Sequence, residues 1–464
     1  MRRRFGAVGL TVWWASVGAA TCGDDRVLTP SGGDTMEPSP PTSPPVDPAA
    51  FEWGPPTSFA SYEMATYGLR LRVNDHGDAG LAWSHEPTPG HWAVRVGATR
   101  VEPGASIATW GSTSGGMEAA APSVALDHVG RTTVVWAAKL VDGSSIIRLD
   151  CGSREFACIE QSLPHSGESR SAQAPQVVAD VAHGRTFAWL ERMTGGGPYR
   201  VVGCRTDEPE PTCRPVALAT DLEPWAPPRL CAVAEHGAIA IWGALQGAQS
   251  AVMAARLQSN HVWSSAFAFA SPPIAHAIEL ASSDSGWAMT VWNQVSAGEL
   301  SLWYSRYHAV RSEWEEARPV GDEASGDVVN PQVAMDGRGN AVVAWVGAQD
   351  HVVRARRYSI DRGTWGEVEQ LEAPNEATSR APQVAAARDG LVAVAWRRPD
   401  AAGRQRVWAS FRAPADASWR PPTRLDDGQA DVQDVQVGLD QHGRGLVAWS
   451  TGAAIEFSKL GTPP

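Results

Sequence analysis

The sequence lacks the motifs that mark several common kinds of enzyme. It has no nucleotide-binding loop ending in Gly-Lys-Ser/Thr, no complete Gly-x-Gly-x-x-Gly and no His-Glu-x-x-His. Residues 111–115 imitate a nucleophile elbow only in outline, because the central residue is Thr113. These absences favour a protein without catalytic residues and without a cofactor.

Clusters of basic residues are also missing. The chain carries 39 lysines and arginines against 51 acidic residues, a formal net charge of −12. Removing residues 1–21, which contain three arginines and no acid, changes −12 to −15. Since phosphate contacts require basic clusters, we expect no nucleic-acid partner.

Apolar stretches long enough to cross a bilayer are absent after the N-terminus, which resembles a bacterial secretory signal. Arg2, Arg3 and Arg4 precede an apolar stretch over residues 5–20, which is followed by Thr21 and Cys22. This junction resembles the lipobox of bacterial lipoproteins. The resemblance implies a signal peptide over 1–21, lipidation of Cys22 and an outer-membrane or cell-surface protein held to the membrane by an N-terminal lipid. Ordinary cleavage near Ala20, giving a periplasmic or secreted protein, and an uncleaved anchor helix are the alternatives.

Residues 22–50 are rich in proline, serine, threonine and glycine, and such a composition cannot bury a core. We expect a tether that holds a folded domain away from the membrane, or an inert spacer.

Cysteine is scarce, with six in the chain. Cys151 with Cys158 and Cys204 with Cys213 enclose short segments, so each pair could close a local disulfide in an oxidising compartment. The spacings do not suit zinc. Cys231 is left over, and we interpret it as a buried thiol.

What the sequence has in abundance is tryptophan, 21 residues in all, and eight of them recur at nearly constant spacing. They are Trp83, Trp136, Trp189, Trp242, Trp292, Trp345, Trp396 and Trp449, separated by 53, 53, 53, 50, 53, 51 and 53 residues. The clearest copy of the unit, Pro331 to Trp345, is typical of two short strands joined by a tight turn. A period of this length indicates a repeat architecture.

Each unit continues with two further strand patterns, and the last of these opens with an aromatic residue. Six tryptophans take that place: Trp53, Trp110, Trp263, Trp314, Trp365 and Trp419. Four short antiparallel strands in about 50 residues are typical of a propeller blade. The last unit lacks its fourth strand, and the segment at Trp53 would supply it. We therefore predict an all-β domain over 51–464, an eight-bladed β-propeller of four-stranded antiparallel blades closed by the N-terminal strand. Seven blades are the alternative.

The repeated VAxDxxGxxxxxW unit resembles repeats of secreted or lipid-anchored bacterial β-propeller proteins. It is also distantly similar to sialidase-type propellers, whose box reads Ser-x-Asp-x-Gly-x-x-Trp. Ser282, Asp284 and Gly286 match that box, whereas Met289 stands where tryptophan belongs. The first resemblance covers nearly all of residues 51–464 and implies the fold, not an activity.

Recurrent polar residues near the turn of each unit have a structural interpretation. Asp127, Asp180, Asp336, Asp440 and Asn74 are expected to brace the hairpin through their side chains. Histidines also recur near this turn. Because the turns of different blades diverge, these histidines are not expected to meet at one ion, and we predict no metal site.

A ligand site should break the repeat, and the loops that follow the recurrent tryptophans vary most. The candidate ligand-binding residues are Trp225, Glu191, Arg192, Asn293, Gln294, Arg397, Arg398 and His85. Trp225 lies outside the repeated aromatic pattern and could stack on a sugar or anchor a protein. Packing of Trp225 within its own loop is the alternative.

These observations favour a monomeric cell-envelope lipoprotein whose propeller binds a glycan or a protein without catalysis. A secreted glycoside hydrolase of the sialidase-like type and a purely structural envelope protein are the alternatives.

Overall fold

The computed structural model describes residues 50–462 except 62–65, 103–104, 112–121, 141–142, 153–157, 166–170, 181–183, 193–195, 208–211, 234–236, 248, 274, 297, 309, 322–327 and 374–377. The predicted signal peptide, Cys22 and nearly all of the predicted tether lie outside these residues. The described part is all-β, and its strands pair almost entirely in antiparallel fashion.

Six hydrogen-bonded sheets contain all the strands in the described part of the chain. The first two strands of the chain are β1 (Glu52–Trp53) and β2 (Thr57–Ser61). The first four-stranded sheet contains β3 (Thr66–Val73), β4 (Asp78–Thr88), β5 (His91–Arg100) and β6 (Ala108–Gly111). An eleven-stranded sheet contains β7 (Ser123–Leu126), β8 (Thr132–Leu140), β9 (Gly143–Cys151), β10 (Cys158–Ser162), β11 (Ser171–Ala179), β12 (Arg185–Arg192), β13 (Tyr199–Thr206), β14 (Val216–Val233), β15 (Gly237–Gln246), β16 (Gln249–Leu257) and β17 (Phe267–Ala270).

Four further sheets follow along the chain. One contains β18 (Ala275–Ser282), β19 (Trp287–Ser296), β20 (Glu299–His308), β21 (Glu313–Trp314) and β22 (Arg318–Pro319). The next contains β23 (Val328–Met335), β24 (Ala341–Gly347), β25 (Val353–Ser359) and β26 (Thr364–Gln370). The third contains β27 (Arg380–Ala386), β28 (Val392–Pro399), β29 (Gln405–Arg412) and β30 (Thr423–Arg424). The last contains β31 (Asp434–Leu439), β32 (Gly445–Ser450) and β33 (Ala454–Gly461), together with β1 and β2.

The tight turn of the repeated unit forms because an acidic or amide side chain accepts hydrogen bonds from the turn that follows it. Asp336 Oδ1 accepts from Arg338 N at 3.0 Å and from Asn340 N at 2.9 Å. Asn74, Asp127 and Asp440 accept from the same two relative positions. Gly339 completes the turn at φ 98°, a conformation that glycine adopts without strain. The predicted bracing role is confirmed.

The eight recurrent tryptophans lie on the second strand of their units, and each is at most 2% exposed. The tryptophans expected to open the fourth strands are only partly buried. Trp419 precedes β30 and lies outside any strand, while Trp263 forms an isolated bridge with Leu257. The largest fully buried side chains therefore come mainly from the second strands.

The N-terminal strands pair with the last strand of the chain. Trp53 of β1 pairs with Leu460, and Thr57 of β2 pairs with Phe457. Phe59 packs edge-on against Phe457 and against Trp83 of the first four-stranded sheet, with ring centroids 6.0 and 5.9 Å apart. The two ends of the folded part therefore meet in one sheet.

Both predicted disulfides are present. Cys151 is bonded to Cys158 across β9 and β10, and Cys204 is bonded to Cys213. Cys231 is buried and belongs to neither bond. Two disulfides are consistent with an exported protein.

Candidate functional site

Two of the candidate ligand residues accept hydrogen bonds from the tryptophans that precede them. Trp189 Nε1 donates to Glu191 Oε1 and Trp292 Nε1 donates to Gln294 Oε1, both at 2.9 Å. Glu191 is fully buried and also faces Arg200, with 3.8 Å between Nε and Oε2. These side chains satisfy buried indole N–H groups.

His85 and Asn293 are buried as well. His85 Nδ1 lies 3.2 Å from the carbonyl oxygen of Ala93, so Nδ1 carries the proton, and burial lowers the pKa of the imidazole. Asn293 Nδ2 donates to the carbonyl oxygen of Val328 at 2.7 Å. Asn293 thereby joins β19 to β23 in the neighbouring sheet.

Arg397 and Arg398 follow the recurrent Trp396 at the end of β28. Arg397 donates to the carbonyl oxygen of Gln433, and burial lowers its pKa even though Asp434 lies nearby. Arg398 lies over the ring of Trp408 at 5.2 Å and 3.5 Å from Glu372.

Two candidate residues, Arg192 and Trp225, line the same cleft. Its volume is about 630 Å³, and its other walls are residues 196–199, 222–224 and Leu245. None of the other six candidate residues lines it. We call this the Trp225 cleft.

The Trp225 cleft has two aromatic walls. The Arg192 guanidinium lies 5.3 Å from the centroid of the Tyr199 ring and donates to the carbonyl oxygens of Gly196 and Gly197. These bonds hold Arg192 over Tyr199, the first residue of β13.

Trp225 owes its position to a glycine. It lies in the middle of β14, where the pairing with β15 shifts in register between Pro224 and Ala226. A Cβ atom added to Gly243 would lie 2.3 Å from Cε2 of Trp225, so only glycine leaves room for the indole there. Trp225 Nε1 makes no hydrogen bond to any residue that the structure describes.

The chemistry of the Trp225 cleft is amphipathic. Tyr199, Trp225 and the prolines present apolar faces, while Arg192 and Glu223 supply one charge of each sign. Such a lining suits a ligand with apolar faces and many hydroxyl groups.

A buried ionic cluster was not predicted, although a break in the repeat marks its position in the sequence. Four units carry a glutamine 13 positions before the recurrent tryptophan: Gln176, Gln332, Gln383 and Gln436. The other four units carry Arg70, Ser123, Arg229 and Glu279 at that position. Arg229 binds Glu279 through Nη2 and Oε1 at 3.2 Å and through Nε and Oε2 at 3.3 Å.

The cluster comprises Arg70, Arg229, Glu279 and Asp434. Both of its acids have interaction partners. Burial raises the pKa of Glu279, and the adjacent Arg229 opposes that rise. Asp434 Oδ2 accepts from Gly68 N at 2.7 Å, which joins the last sheet to the first four-stranded sheet. Burial lowers the pKa of Arg70, which also lies in the field of Asp434.

Within the described ranges, no group of three metal-ligating side chains could hold an ion. No helix in the described part of the chain could cross a membrane.

No family model and no curated protein sequence matches this chain. Among solved structures, a prolyl endopeptidase is 8% identical and matches with a TM-score of 0.51, covering 85% of this chain and 55% of its own. A polysaccharide lyase of family PL25, an ulvan lyase, is 9% identical with a TM-score of 0.48 over 73% of this chain and 91% of its own. The intramolecular trans-sialidase from Ruminococcus gnavus is 8% identical with a TM-score of 0.41 over 75% and 96%. At these identities the likeness concerns the fold alone.

Proposed function

We propose that this protein is a cell-envelope lipoprotein whose eight-bladed β-propeller binds a glycan in the Trp225 cleft without catalysis. The observation that carries the proposal is the convergence of Arg192, Tyr199 and Trp225 on one open cleft. A protein ligand at the same cleft is the nearest alternative.

The blade count rests on how the eleven-stranded sheet divides. β14 has 18 residues, and its first part pairs with β13 while its second part pairs with β15. If the first part of β14 belongs to one unit and the second part to the next, β14 counts twice. The eleven strands then form three groups of four. With the other five sheets, this gives eight blades.

Contacts between distant sheets support a ring around a common axis. Arg388 lies between β27 and β28, yet its Nε is 3.2 Å from Asp284 Oδ2 and its Nη1 is 3.5 Å from Asp75 Oδ2. These carboxylates belong to the turns after β18 and β3. One side chain therefore reaches two sheets that are not its neighbours in the chain.

A glycan suits the Trp225 cleft because sugar rings present apolar C–H faces to aromatic side chains and hydroxyl groups to charged ones. Burial against Trp225 and Tyr199 would supply most of the affinity. Arg192 and Glu223 would orient the hydroxyl groups.

The test is a glycan array followed by isothermal titration calorimetry on the best ligand. Trp225→Ala should weaken binding at least roughly tenfold, as expected for a central aromatic anchor. Gly243→Ala should also weaken it, because the added methyl group displaces the indole. Trp419→Ala changes a half-buried tryptophan that precedes β30 and does not line the cleft, so it is the matched control and should bind normally.

If no glycan binds, and no envelope protein is captured in a manner that Trp225→Ala abolishes, the binding proposal is wrong. That outcome would favour the purely structural alternative.

Lipidation of Cys22 is tested separately. Metabolic labelling with a fatty acid should mark the protein, and Cys22→Ala should lose the label and leave the membrane fraction. A wild-type protein that carries no label would show ordinary cleavage or another form of anchoring.

A second proposal, glycoside hydrolysis, draws on the cluster of Arg70, Arg229, Glu279 and Asp434. Carboxylates and arginines do meet there, but Glu279 is fully buried and bonded to Arg229. A general acid must reach its substrate. The test is to measure whether the wild-type protein releases products from the glycans that bind on the array. Release that is lost in Glu279→Gln, with glycan binding unchanged, would favour hydrolysis over simple binding.

A further inference from the structure

A serine, a histidine and a glutamate lie in a row where the unit of Trp136 meets the unit of Trp189. Ser145 Oγ lies 3.4 Å from His165 Nε2, and His165 Nδ1 lies 3.6 Å from Glu191 Oε1. The two ring nitrogens therefore face different partners, a hydroxyl group on one side and a carboxylate on the other. Groups in this order allow a histidine, oriented by an acid, to activate a serine as a nucleophile.

The three residues come from separate segments, which explains why no sequence motif marks them. Ser145 lies on β9 and Glu191 on β12, while His165 follows β10. A disulfide ties β9 to β10, and beyond β10 the amide of Leu163 donates to the carbonyl oxygen of Ile146 at 2.9 Å. This continued pairing brings His165 alongside Ser145.

The carboxylate of Glu191 is fixed in place. Its Oε1 accepts from Trp189 Nε1 at 2.9 Å, and Arg200 Nε lies 3.8 Å from its Oε2. Because the carboxylate faces Nδ1 of His165, that nitrogen carries the proton, and Nε2 is left to accept the proton of Ser145. Glu191 is fully buried, which strengthens the field that it exerts on the imidazole.

The nucleophile and the base lie closer to solvent than the acid. The side chain of His165 is 26% exposed, and Ser145 is partly exposed. Neither of them lines the Trp225 cleft. Glu191 and Arg192 are successive residues of β12, so their side chains point to opposite faces of the sheet, one toward this site and the other toward the cleft.

We propose that Ser145, His165 and Glu191 form a second site, separate from the Trp225 cleft, that hydrolyses esters of short carboxylic acids. Ser145 Oγ attacks the ester carbonyl carbon and gives its proton to His165 Nε2. The bond from this carbon to the alcohol oxygen breaks, and His165 passes the proton to the departing alkoxide, so the acyl group remains on Oγ.

Water completes the reaction. It attacks the acyl group and gives a proton to His165, which returns this proton to Ser145 Oγ as the bond between Oγ and the acyl group breaks. Ester and water thus become acid and alcohol, and nothing is oxidised or reduced. Glu191 stabilises the imidazolium that forms in each step and acts as a positioning residue.

The acyl group should be short because the apolar side chains beside the site are packed in the core. Ile146, Leu163 and Ala172 are at most 5% exposed and belong to one buried cluster between the two units. They are therefore not available to line a groove for a long acyl chain, and an acetyl group is the expected size.

The experiment treats the full chain with a fluorophosphonate probe, which modifies activated serines, and measures hydrolysis of p-nitrophenyl acetate and p-nitrophenyl octanoate. Mass spectrometry should find the probe on Ser145. The acetate should be cleaved faster than the octanoate, and at least roughly tenfold faster than by Ser145→Ala.

Three variants assign the roles. Ser145→Ala should lose both the label and the hydrolysis. His165→Gln should slow both at least roughly tenfold, because it removes the base. Glu191→Gln keeps an oxygen for the Trp189 indole but removes the charge that faces His165, so kcat should fall at least roughly tenfold with little change in KM.

Ser301→Ala is the matched control. Ser301 pairs with Gln294 as Ser145 pairs with Ala138, and each partner lies two residues after a recurrent tryptophan. Ser301 Oγ donates to the carbonyl oxygen of Gln294 at 3.3 Å and accepts from Trp303 Nε1 at 3.0 Å. Its loss should leave labelling and hydrolysis unchanged.

The proposal is wrong if the probe leaves Ser145 unmodified, if hydrolysis persists in Ser145→Ala, or if His165→Gln changes neither labelling nor hydrolysis. A bridge that only joins the two units predicts all three results. Equal rates for the acetate and the octanoate would overturn the preference for a short acyl group. Thermal melts of each variant separate loss of the site from loss of the fold, and glycan binding in the Trp225 cleft should be unaffected by Ser145→Ala.

Discussion

The indole N–H groups of four recurrent tryptophans donate hydrogen bonds to acceptors at different sequence positions. Glu191 and Gln294 serve the tryptophans two residues before them, whereas Trp396 donates to Glu372 and Trp449 to Glu456. Trp345 has no such acceptor among the described residues. Some of the variation after the recurrent tryptophans therefore reflects local hydrogen bonding of the indole.

At Trp345, truncation should cost packing alone. The side chain is 2% exposed and belongs to the core formed between β19, β20, β23 and β24. Trp345→Ala should lower the free energy of unfolding by about 3–5 kcal/mol, as other large-to-small core substitutions do. Denaturant titration measures this, with the half-buried Trp365→Ala as the milder control. An unchanged unfolding curve would contradict the burial.

Asp127 should make stability depend on pH. Burial alone would raise its pKa, but Arg185, together with hydrogen bonds from Arg131, holds the pKa below the usual value. A carboxyl group whose pKa is lowered by folding stabilises the folded state at pH values above its unfolded-state pKa of about 4. This contribution is lost as pH falls through the folded-state pKa. Asp127→Asn should therefore cost about 2–4 kcal/mol at pH 7, since it removes the carboxylate that pairs with the buried Arg185.

The difference between wild type and Asp127→Asn should shrink below about pH 4. Asp350→Asn is the control. A hydrogen bond from Arg354 lowers the pKa of Asp350 to about 2, yet the Asp350 side chain is 40% exposed, so its loss should matter less than that of the buried Asp127. A cost for Asp127→Asn that is constant from pH 3 to pH 7 would refute the linkage.

At the scale of strands, the N-terminal pairing protects an edge. β33 hydrogen-bonds to β32 on one side and to β1 and β2 on the other. Phe51 and Phe59 of the N-terminal segment are buried against the sheets beside it. Without this segment β33 would be an exposed edge strand, which favours association between chains.

Deleting residues 1–61 should therefore lower the melting temperature and produce multimers. Deleting residues 1–49 should do neither, since the predicted tether cannot contribute a core. Size-exclusion chromatography and thermal melts compare the two truncations. Equal behaviour of both would show that the N-terminal strands contribute little.

At the scale of the molecule, a closed ring should be compact and monomeric. A compact domain of this length has a radius of gyration of about 22 Å. Small-angle scattering coupled to light scattering on the chain lacking residues 1–49 should give that value and the mass of one chain. A markedly larger radius would indicate an open array of sheets.

The sequence by itself determined the all-β class, the unit with its buried tryptophan, the braced turn and both disulfides. All of these depend on neighbours within one unit, where period-two alternation, Asx hydrogen bonds and short cysteine spacings are visible along the chain. The pairing of Trp53 with the last strand was also predictable, because Trp53 precedes the first unit at the spacing of the tryptophans expected to open the fourth strands.

Only the tertiary structure decided which variable residues face a common space. Asn293, Gln294 and Glu191 vary like binding residues, yet they point into the interior, while Arg192 meets Trp225 from another strand. Whether side chains from separate strands meet depends on the spacing and register of packed sheets, and a linear repeat does not encode either one locally.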